Sequence, residues 1–154
     1  MATPLVVELL EGVPAISRML VMVQAEVGER LAAGAGEQAY GAVSVKVAYF
    51  AEASVVGRVP PTVFLPQPKV DSALVALARR PAPAVDPAAV AYERLAQVVR
   101  AGFHQRRKML RRALAGVVEE GAFERAGVAP TARAEELDVQ AWGRLAAWPP
   151  SAAS

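Results

Sequence analysis

The chain reads Val59-Pro60-Pro61-Thr62-Val63-Phe64-Leu65-Pro66-Gln67-Pro68-Lys69-Val70-Asp71-Ser72 at its most informative point. Four prolines surround one aromatic ring and one lysine. Each proline fixes its own φ, removes a backbone donor and restricts the residue before it to extended conformations. We therefore expect a stiff, non-helical loop between two strands. Such a loop can hold Phe64 for stacking on a flat ligand, whereas composition alone favours packing of the ring into the core.

Apolar patterning on both sides of this loop predicts an α/β portion. The unbroken run Met19–Val23 indicates a strand over Ile16–Gln24 that is buried on both faces, as in a parallel sheet. Residues 43–50 alternate between apolar and small or polar side chains, which predicts a second strand. Two further strands are expected at 53–59 and 70–78. These elements are too few for a doubly wound sheet covered on both faces, so the α/β portion reads as incomplete.

A change of pattern near Arg80 predicts the domain organisation. Pro81-Ala82-Pro83-Ala84 has the composition of a stiff, exposed linker. Beyond it the pattern is helical, and Asp86 followed by Pro87 indicates a helix start. The expected division is a partial α/β domain over 1–80, a linker over 81–85 and a helical domain over 86–150. Pro149-Pro150 would end the ordered part, before a frayed tail.

Positive charge is concentrated in one segment of the chain. The net charge is −1 over residues 1–94, +6 over 95–118 and −3 over 119–154. The segment holds these candidates for contact with a polyanion: Arg100, His104, Arg106, Arg107, Lys108, Arg111 and Arg112. On one continuous helix Arg106 would point into the apolar face, so we expect a break near Gly102–Gln105 and a second helix starting close to Arg106. Phosphate contact and a merely solvated basic face are both compatible with this pattern.

Composition excludes several kinds of site. The sequence contains no cysteine and a single histidine, so it offers no disulfide, thiolate metal site or histidine cluster. We expect a chain that binds no metal. The longest apolar run is too short to span a bilayer, and the first residues lack the pattern of a signal peptide. The expected location is therefore the cytoplasm.

Several spaced motifs resemble the ribosomal RNA adenine dimethyltransferases, in particular the bacterial small-subunit branch. The resemblance runs from about Ala2 to Trp148 and is carried by these stretches: Ala2-Thr3-Pro4-Leu5, Gln24-Ala25-Glu26-Val27-Gly28-Glu29-Arg30-Leu31, Ala39-Tyr40-Gly41, Phe64-Leu65-Pro66-Gln67-Pro68-Lys69-Val70-Asp71-Ser72 and Phe103-His104-Gln105-Arg106-Arg107-Lys108. It implies the rear part of a Rossmann-like methyltransferase sheet followed by a small helical RNA-binding domain. The implied reaction is S-adenosylmethionine-dependent dimethylation of two adjacent adenines near the 3′ end of 16S rRNA.

The same resemblance implies roles for the loop residues and a set of partners. Phe64 would stack on the target adenine after that base has left its RNA stack. Pro66, Pro68 and Lys69 would shape the loop, and Lys69 is as readily a phosphate contact as a solvated side chain. The implied partner is small-subunit rRNA or the immature small ribosomal subunit, bound by a monomer.

One departure from the family pattern shapes the functional expectation. The family's glycine-rich cofactor loop, its acidic ribose partner and its Asn-Leu-Pro-Tyr motif precede the stretch at which this chain begins. We therefore expect no cofactor-binding residue in this chain and no activity of the chain alone. The alternatives are a non-catalytic rRNA- or ribosome-binding module of the same ancestry and a truncated gene product that does not fold by itself.

Overall fold

The computed structural model describes residues 2–148, with side chains described from residue 5 onward. The elements are, in chain order, α1 (Ala2–Gly12), β1 (Arg18–Gln24), α2 (Ala25–Ala32), α3 (Ala42–Phe50), β2 (Ala51–Val59), β3 (Ser72–Arg79), α4 (Tyr92–His104), α5 (Leu110–Ala113), α6 (Ala122–Ala126) and α7 (Val139–Ala146). The predicted order of an α/β portion followed by helices is therefore confirmed. The expected end at Pro149-Pro150 and the tail lie outside the described residues. No helix within residues 2–148 is long and apolar enough to cross a membrane.

The three strands form one antiparallel sheet in the order β1-β3-β2. Val75 of the central strand lies opposite Val21 on one side and Val55 on the other. One face of the sheet packs on α1, α2 and α3, where Leu31 and Val47 are buried with Val75. Gly28 lets α2 approach closely, since a Cβ there would lie 2.8 Å from the Cβ of Ala73.

The prediction of a buried parallel strand at residues 16–24 is wrong in two respects. A strand is present, but β1 is antiparallel to β3 and lies at the edge of the sheet. Val23 is buried, whereas Leu20 is 65% and Met22 50% exposed. The apolar run does not signify burial on both faces because, within residues 2–148, helices cover only one face of the sheet.

The predicted strand at residues 43–50 is also wrong, since these residues form α3. Val43 and Val47 are four residues apart and share one helix face, which packs on the sheet. Val45 and Tyr49 share the opposite face, which packs on the C-terminal helices. Burial of two opposite faces in two different cores produces the alternation that is typical of a strand.

α3 therefore connects the two parts of the fold.

Two consecutive arginines at the end of β3 fix neighbouring segments of the chain by donating hydrogen bonds to backbone carbonyls. The Arg79 guanidinium donates to the carbonyls of Leu10, Val13 and Ile16 at 2.6–3.0 Å. Arg80 donates to the carbonyl of Ala48 at 2.8 Å. Pro81–Pro83 are exposed as expected, but Ala84 and Val85 are partly buried, and Ala84 N–H donates to the carbonyl of Tyr49. The boundaries of the three predicted segments remain a prediction.

The helical part is organised around Trp142, which is fully buried. Asp138 caps α7 by accepting a hydrogen bond from Ala141 N–H at 2.8 Å. The predicted helix start at Asp86-Pro87 is wrong, because Asp86 caps only a single turn and α4 begins at Tyr92. The long basic helix breaks after His104, as predicted. The second helix begins at Leu110 and not near Arg106, because residues 105–109 form a turn.

Candidate functional site

The loop of residues 60–71, here called the Phe64 loop, joins β2 to β3 as predicted. Its two ends are held together, because Val59 pairs with Ser72 and Ala25 N–H donates to the carbonyl of Asp71. Inside it, Pro61–Val63 form one 3-10 turn. Phe64 follows that turn in an extended conformation, and its N–H donates to the carbonyl of Pro61 at 3.2 Å. The loop is thus stiffened by prolines and closed at its base.

The tip of the loop is apolar and open to solvent. Phe64 is partly buried, whereas Leu65 is completely exposed and Val63 is 62% exposed. Pro66, Pro68 and Lys69 are exposed beyond it. The sequence did not predict a role for Leu65, because a single leucine in a proline-rich loop belongs to no hydrophobic periodicity. A solvent-facing apolar tip with a ring behind it suits contact with flat, apolar faces such as nucleobases.

The second candidate region is a basic surface on the helical part. It follows the end of α4, the turn at 105–109 and α5, and its members are all exposed: Arg100, His104, Arg107, Lys108, Arg111 and Arg112. Ion pairs within residues 2–148 engage other cations, namely Arg30, Arg58, Arg80, Arg106 and Arg125. No ion pair or side-chain hydrogen bond among the described residues engages a member of the basic surface. The five arginine and lysine side chains of this surface are therefore available to an external anion.

Arg106 differs from its neighbours and is not counted in the basic surface. Its guanidinium donates to the carbonyl of Gln38 at 3.3 Å and lies 3.5 Å from a carboxylate oxygen of Glu135. It also lies 5.8 Å from the centroid of the Phe103 ring. These contacts connect the loop after α2 to the helical part. The side chain that did not fit a continuous helix thus has partners within the fold.

Helix geometry explains why the basic residues face outward. Val98, Val99 and Gly102 form the buried side of α4, so Arg100 and His104 project from the opposite side. Gly102 lies against the indole of Trp142, and a Cβ at that position would be 2.5 Å from the ring. On α5 only Leu110 is buried, and Arg111 and Arg112 line a surface hollow with Gly116 and Phe123. α5 has only four residues, so its N-terminus adds little to phosphate binding.

The described residues do not fit a methyl-donor cofactor site. Dinucleotide-type and related cofactors bind where parallel strands run into glycine-rich turns and helix N-termini. Here the sheet is antiparallel, and the glycine-rich segment Gly34–Ala39 follows α2 and not a strand. No group of three or more potential metal-binding side chains occurs within residues 2–148.

Comparison with known proteins gives a consistent result. The family model for ribosomal RNA adenine dimethylase matches residues 1–149. The ribosomal RNA small subunit methyltransferase A of Thermobifida fusca is 47% identical over 150 residues, which are 94% of this chain and 51% of that protein. The protein of the same name from Kineococcus radiotolerans is 45% identical over 157 residues, with 99% and 51% covered. The chain thus spans about half the length of these curated relatives.

Solved structures show the same architecture. A dimethyladenosine transferase from Plasmodium falciparum superposes with a TM-score of 0.74 at 21% identity, over 94% of this chain and 61% of that one. The 23S rRNA methyltransferase ErmE superposes with a TM-score of 0.68 at 26% identity, over 94% and 59%. The α/β portion accordingly superposes on part of the Rossmann-like fold of these methyltransferases.

Proposed function

Because the chain belongs to the ribosomal RNA adenine dimethylase family, we propose that it is the RNA-holding and base-contacting part of an S-adenosylmethionine-dependent enzyme. The substrate would be small-subunit rRNA, and the product two adjacent N6,N6-dimethyladenines near its 3′ end. The cofactor would supply the methyl groups and would be held by a polypeptide other than the described residues.

The basic surface is the observation that carries this proposal. Five exposed arginine and lysine side chains within residues 100–112 have no acidic partner among the described residues, while five other arginines of the chain each have one. Unpaired cations on a protein of net charge +2 point to a polyanion as the ligand. Arginine and lysine contacts to phosphate give affinity without sequence specificity. The basic surface would therefore position the RNA.

The Phe64 loop would act on the adenine that is methylated. An enzyme that modifies a base must take it out of its stack, which costs a few kcal/mol. A ring held by a stiff loop can offset that cost, since base–aromatic stacking contributes about 1–3 kcal/mol. Phe64 is followed by the fully exposed Leu65, so the loop can reach into an opened RNA strand. Pro66, Pro68 and Lys69 would keep its shape.

A non-catalytic rRNA-binding module is the second candidate function. It is favoured by the antiparallel sheet and by the position of the glycine-rich segment, which leave the described residues without a cofactor site. The two candidates share the basic surface and differ in whether a cofactor-binding partner restores methyl transfer.

Both candidate functions require the basic surface to bind RNA, so variants that remove its charges test what the two candidates share. In the triple variant Arg107→Gln, Lys108→Gln, Arg111→Gln, the affinity for a small-subunit rRNA fragment should fall. The slope of log affinity against log salt should also flatten by roughly 0.7–0.9 for each phosphate that the variant no longer neutralises. Fluorescence anisotropy across a salt series would measure both quantities.

A matched control carries the same charge change elsewhere. Arg30→Gln, Arg58→Gln, Arg125→Gln removes three cations that are already paired with Glu26, Glu29 and Glu119. This control should keep most of the slope. If the two triple variants reduce affinity and slope equally, only net charge matters and the basic surface is not the RNA-binding site.

A further inference from the structure

Leu65 is a fully exposed apolar side chain at the tip of the Phe64 loop. Its exposed fraction is 100%, and neither hydrophobic core of the described residues includes it. In the same loop Val63 is 62% and Val70 49% exposed. A single exposed leucine needs no explanation, but several exposed apolar side chains on one loop indicate a contact surface. Leu65 adds nothing to the packing of residues 2–148, so its apolar surface is available to a ligand.

Phe64 and Leu65 project to opposite sides of the loop. Phe64 has extended backbone angles, with φ −107° and ψ 152°, and Pro66 restricts Leu65 to extended conformations as well. Successive side chains of an extended chain point in opposite directions. Phe64 is partly buried, so its ring is turned toward the body of the protein and Leu65 away from it. The loop therefore presents an aromatic ring on one side and an apolar side chain on the other.

The loop can insert Leu65 into a nucleic-acid strand at low cost. Four prolines limit the backbone freedom of the loop, so little entropy remains to be lost when its tip becomes bound. Residues 60–70 contain no acidic side chain, and Lys69 is exposed. A phosphate backbone would therefore meet no like charge as it approaches Leu65.

Removal of a base from its stack creates a place for such a side chain. The gap exposes the flat faces of the neighbouring bases, which lose a stacking partner. Proteins that open a nucleic-acid stack frequently insert an apolar wedge, leucine among others, between base steps. A ring that stacks on the extruded base cannot fill the gap at the same time, so a second side chain is needed. Leu65 directly follows Phe64 and lies on the opposite side of the loop.

We propose that Leu65 enters the gap that an extruded adenine leaves in the RNA strand and packs against the base next to that gap, while Phe64 stacks on the extruded adenine. The inference rests on the proposed function, because it takes the methylated adenine as the extruded base. Leu65 is a positioning residue in this role. It holds the strand open and makes no contact with the amine that is methylated.

An RNA with a preformed gap tests Leu65 separately from Phe64. The probe is a small-subunit rRNA fragment in which one of the two adjacent adenines is replaced by an abasic nucleotide. For this RNA, Leu65→Ser should lower the affinity of the chain roughly tenfold, because the apolar contact with the neighbouring base is lost. Leu65→Met keeps the apolar bulk and should bind as the parent does. Phe64→Ala should also bind as the parent does, because the abasic RNA has no base to stack on the ring. Fluorescence anisotropy would measure these affinities.

A second probe reports on the extruded base itself. 2-Aminopurine replaces the same adenine in an otherwise intact fragment, and its fluorescence rises when it leaves the stack of neighbouring bases. At saturating concentration the parent chain should raise this fluorescence, and Leu65→Ser should lose most of the rise. Leu20→Ser is the matched control, because it makes the same substitution at a 65% exposed leucine on β1. This control should keep both the fluorescence rise and the affinity for the abasic RNA.

Several results would overturn the proposal. They are equal affinity of Leu65→Ser and the parent for the abasic RNA, an equal loss of affinity in Leu20→Ser or Phe64→Ala, and a fluorescence rise that is absent in the parent or unchanged in Leu65→Ser. Self-association of the parent that Leu65→Ser abolishes would identify a second copy as the occupant and would also overturn it. Because Leu65 is fully exposed, the melting temperature of Leu65→Ser should match that of the parent.

Binding of the parent chain to the intact fragment separates the two levels of the argument. If the chain does not bind this RNA, the proposed function fails together with the inference. If the chain binds it and Leu65→Ser has no effect on either probe, only the inference fails.

Discussion

Phe64 is the residue on which the functional proposal can be tested most directly. In an active complex with the cofactor-binding polypeptide of the proposed function, Phe64→Ala should reduce the methylation rate by roughly tenfold or more, since it removes stacking of about 1–3 kcal/mol. RNA affinity should change little, because phosphate contacts at the basic surface supply it. Single-turnover methylation and anisotropy would measure the two effects.

Two further substitutions separate stacking from packing. Phe64→Tyr keeps the aromatic face and should retain much of the rate, whereas Phe64→Leu keeps apolar bulk and should not. If Leu matches Tyr in rate and both variants melt like the parent, then Phe64 is a packing residue and has no role at the base.

Gly102 illustrates a residue whose role lies in packing. A Cβ at Gly102 would lie 2.5 Å from Cη2 and 3.1 Å from Cζ3 of the buried Trp142 ring. Gly102→Ala should therefore lower the free energy of unfolding by about 1–3 kcal/mol. Gly121→Ala, where a Cβ meets nothing within 4 Å, should stay within about 0.5 kcal/mol of the parent. Urea denaturation would check both, and equal stabilities would contradict the packing argument.

At the scale of elements, the turn between α4 and α5 places two adjacent arginines in different roles. Arg106 contacts Gln38, Glu135 and the Phe103 ring, whereas Arg107 is exposed and unpaired among the described residues. Arg106→Ala should destabilise the fold by about 0.5–1 kcal/mol, a small amount because the side chain is 40% exposed and its ion pair is screened. Its effect on RNA affinity should be minor.

Arg107→Ala should show the opposite pattern. Its melting temperature should match the parent, and its RNA affinity should fall with a flatter salt dependence. Thermal melts and anisotropy on the two single variants would measure this. A larger drop in RNA affinity in Arg106→Ala than in Arg107→Ala would mean that the turn rearranges when RNA binds.

At the scale of the whole molecule, all three tyrosines lie where the two parts of the fold meet. Tyr40 OH donates to the carbonyl of Leu137 at 2.6 Å, and Tyr92 OH donates to Glu11 at 2.5 Å. Tyr49 packs against Tyr92 with ring centroids 4.9 Å apart. Burial raises the pKa of Tyr40, Tyr49 and Tyr92 above the usual 10.0, and in Tyr92 the bond to Glu11 adds to the effect.

These shifts predict a fall in stability in alkali. The folded state binds the phenolic protons more tightly than the unfolded state, so the stabilisation is complete below pH 10 and declines progressively above it. Phenolate absorbance should rise as the circular dichroism of the folded state disappears. Phenolate formation at Tyr40 or Tyr92 near pH 10 in a protein that remains folded would contradict the prediction.

The isolated chain should bind no S-adenosylmethionine. The sheet is antiparallel, and no glycine-rich turn within residues 2–148 connects a strand to a helix. Calorimetric titration of the chain should give only heats of dilution. Saturable one-to-one binding by the chain alone would show that the described residues do contain a cofactor site.

The sequence by itself determined those features that depend on neighbouring residues. The prolines around Phe64 predict a stiff loop, and a run of cations without interleaved acidic residues predicts a basic surface. Arg106 would lie on the apolar face of a continuous helix, which predicts a break in that helix. Spaced motifs indicated the family, and the family model confirms it. Proline geometry, charge and helical periodicity act over a few residues, so they can be read without coordinates.

Tertiary structure alone decided the identity of α3, the edge position of β1 and the partners of Arg106. An alternating apolar pattern fits a strand with one buried face and also a helix buried on two opposite faces. Only the presence of a second core beside Val45 and Tyr49 selects the helix. The run Met19–Val23 is likewise apolar whether or not strands flank it on both sides. Burial depends on which elements pack together, and that information is spread over residues far apart in the chain.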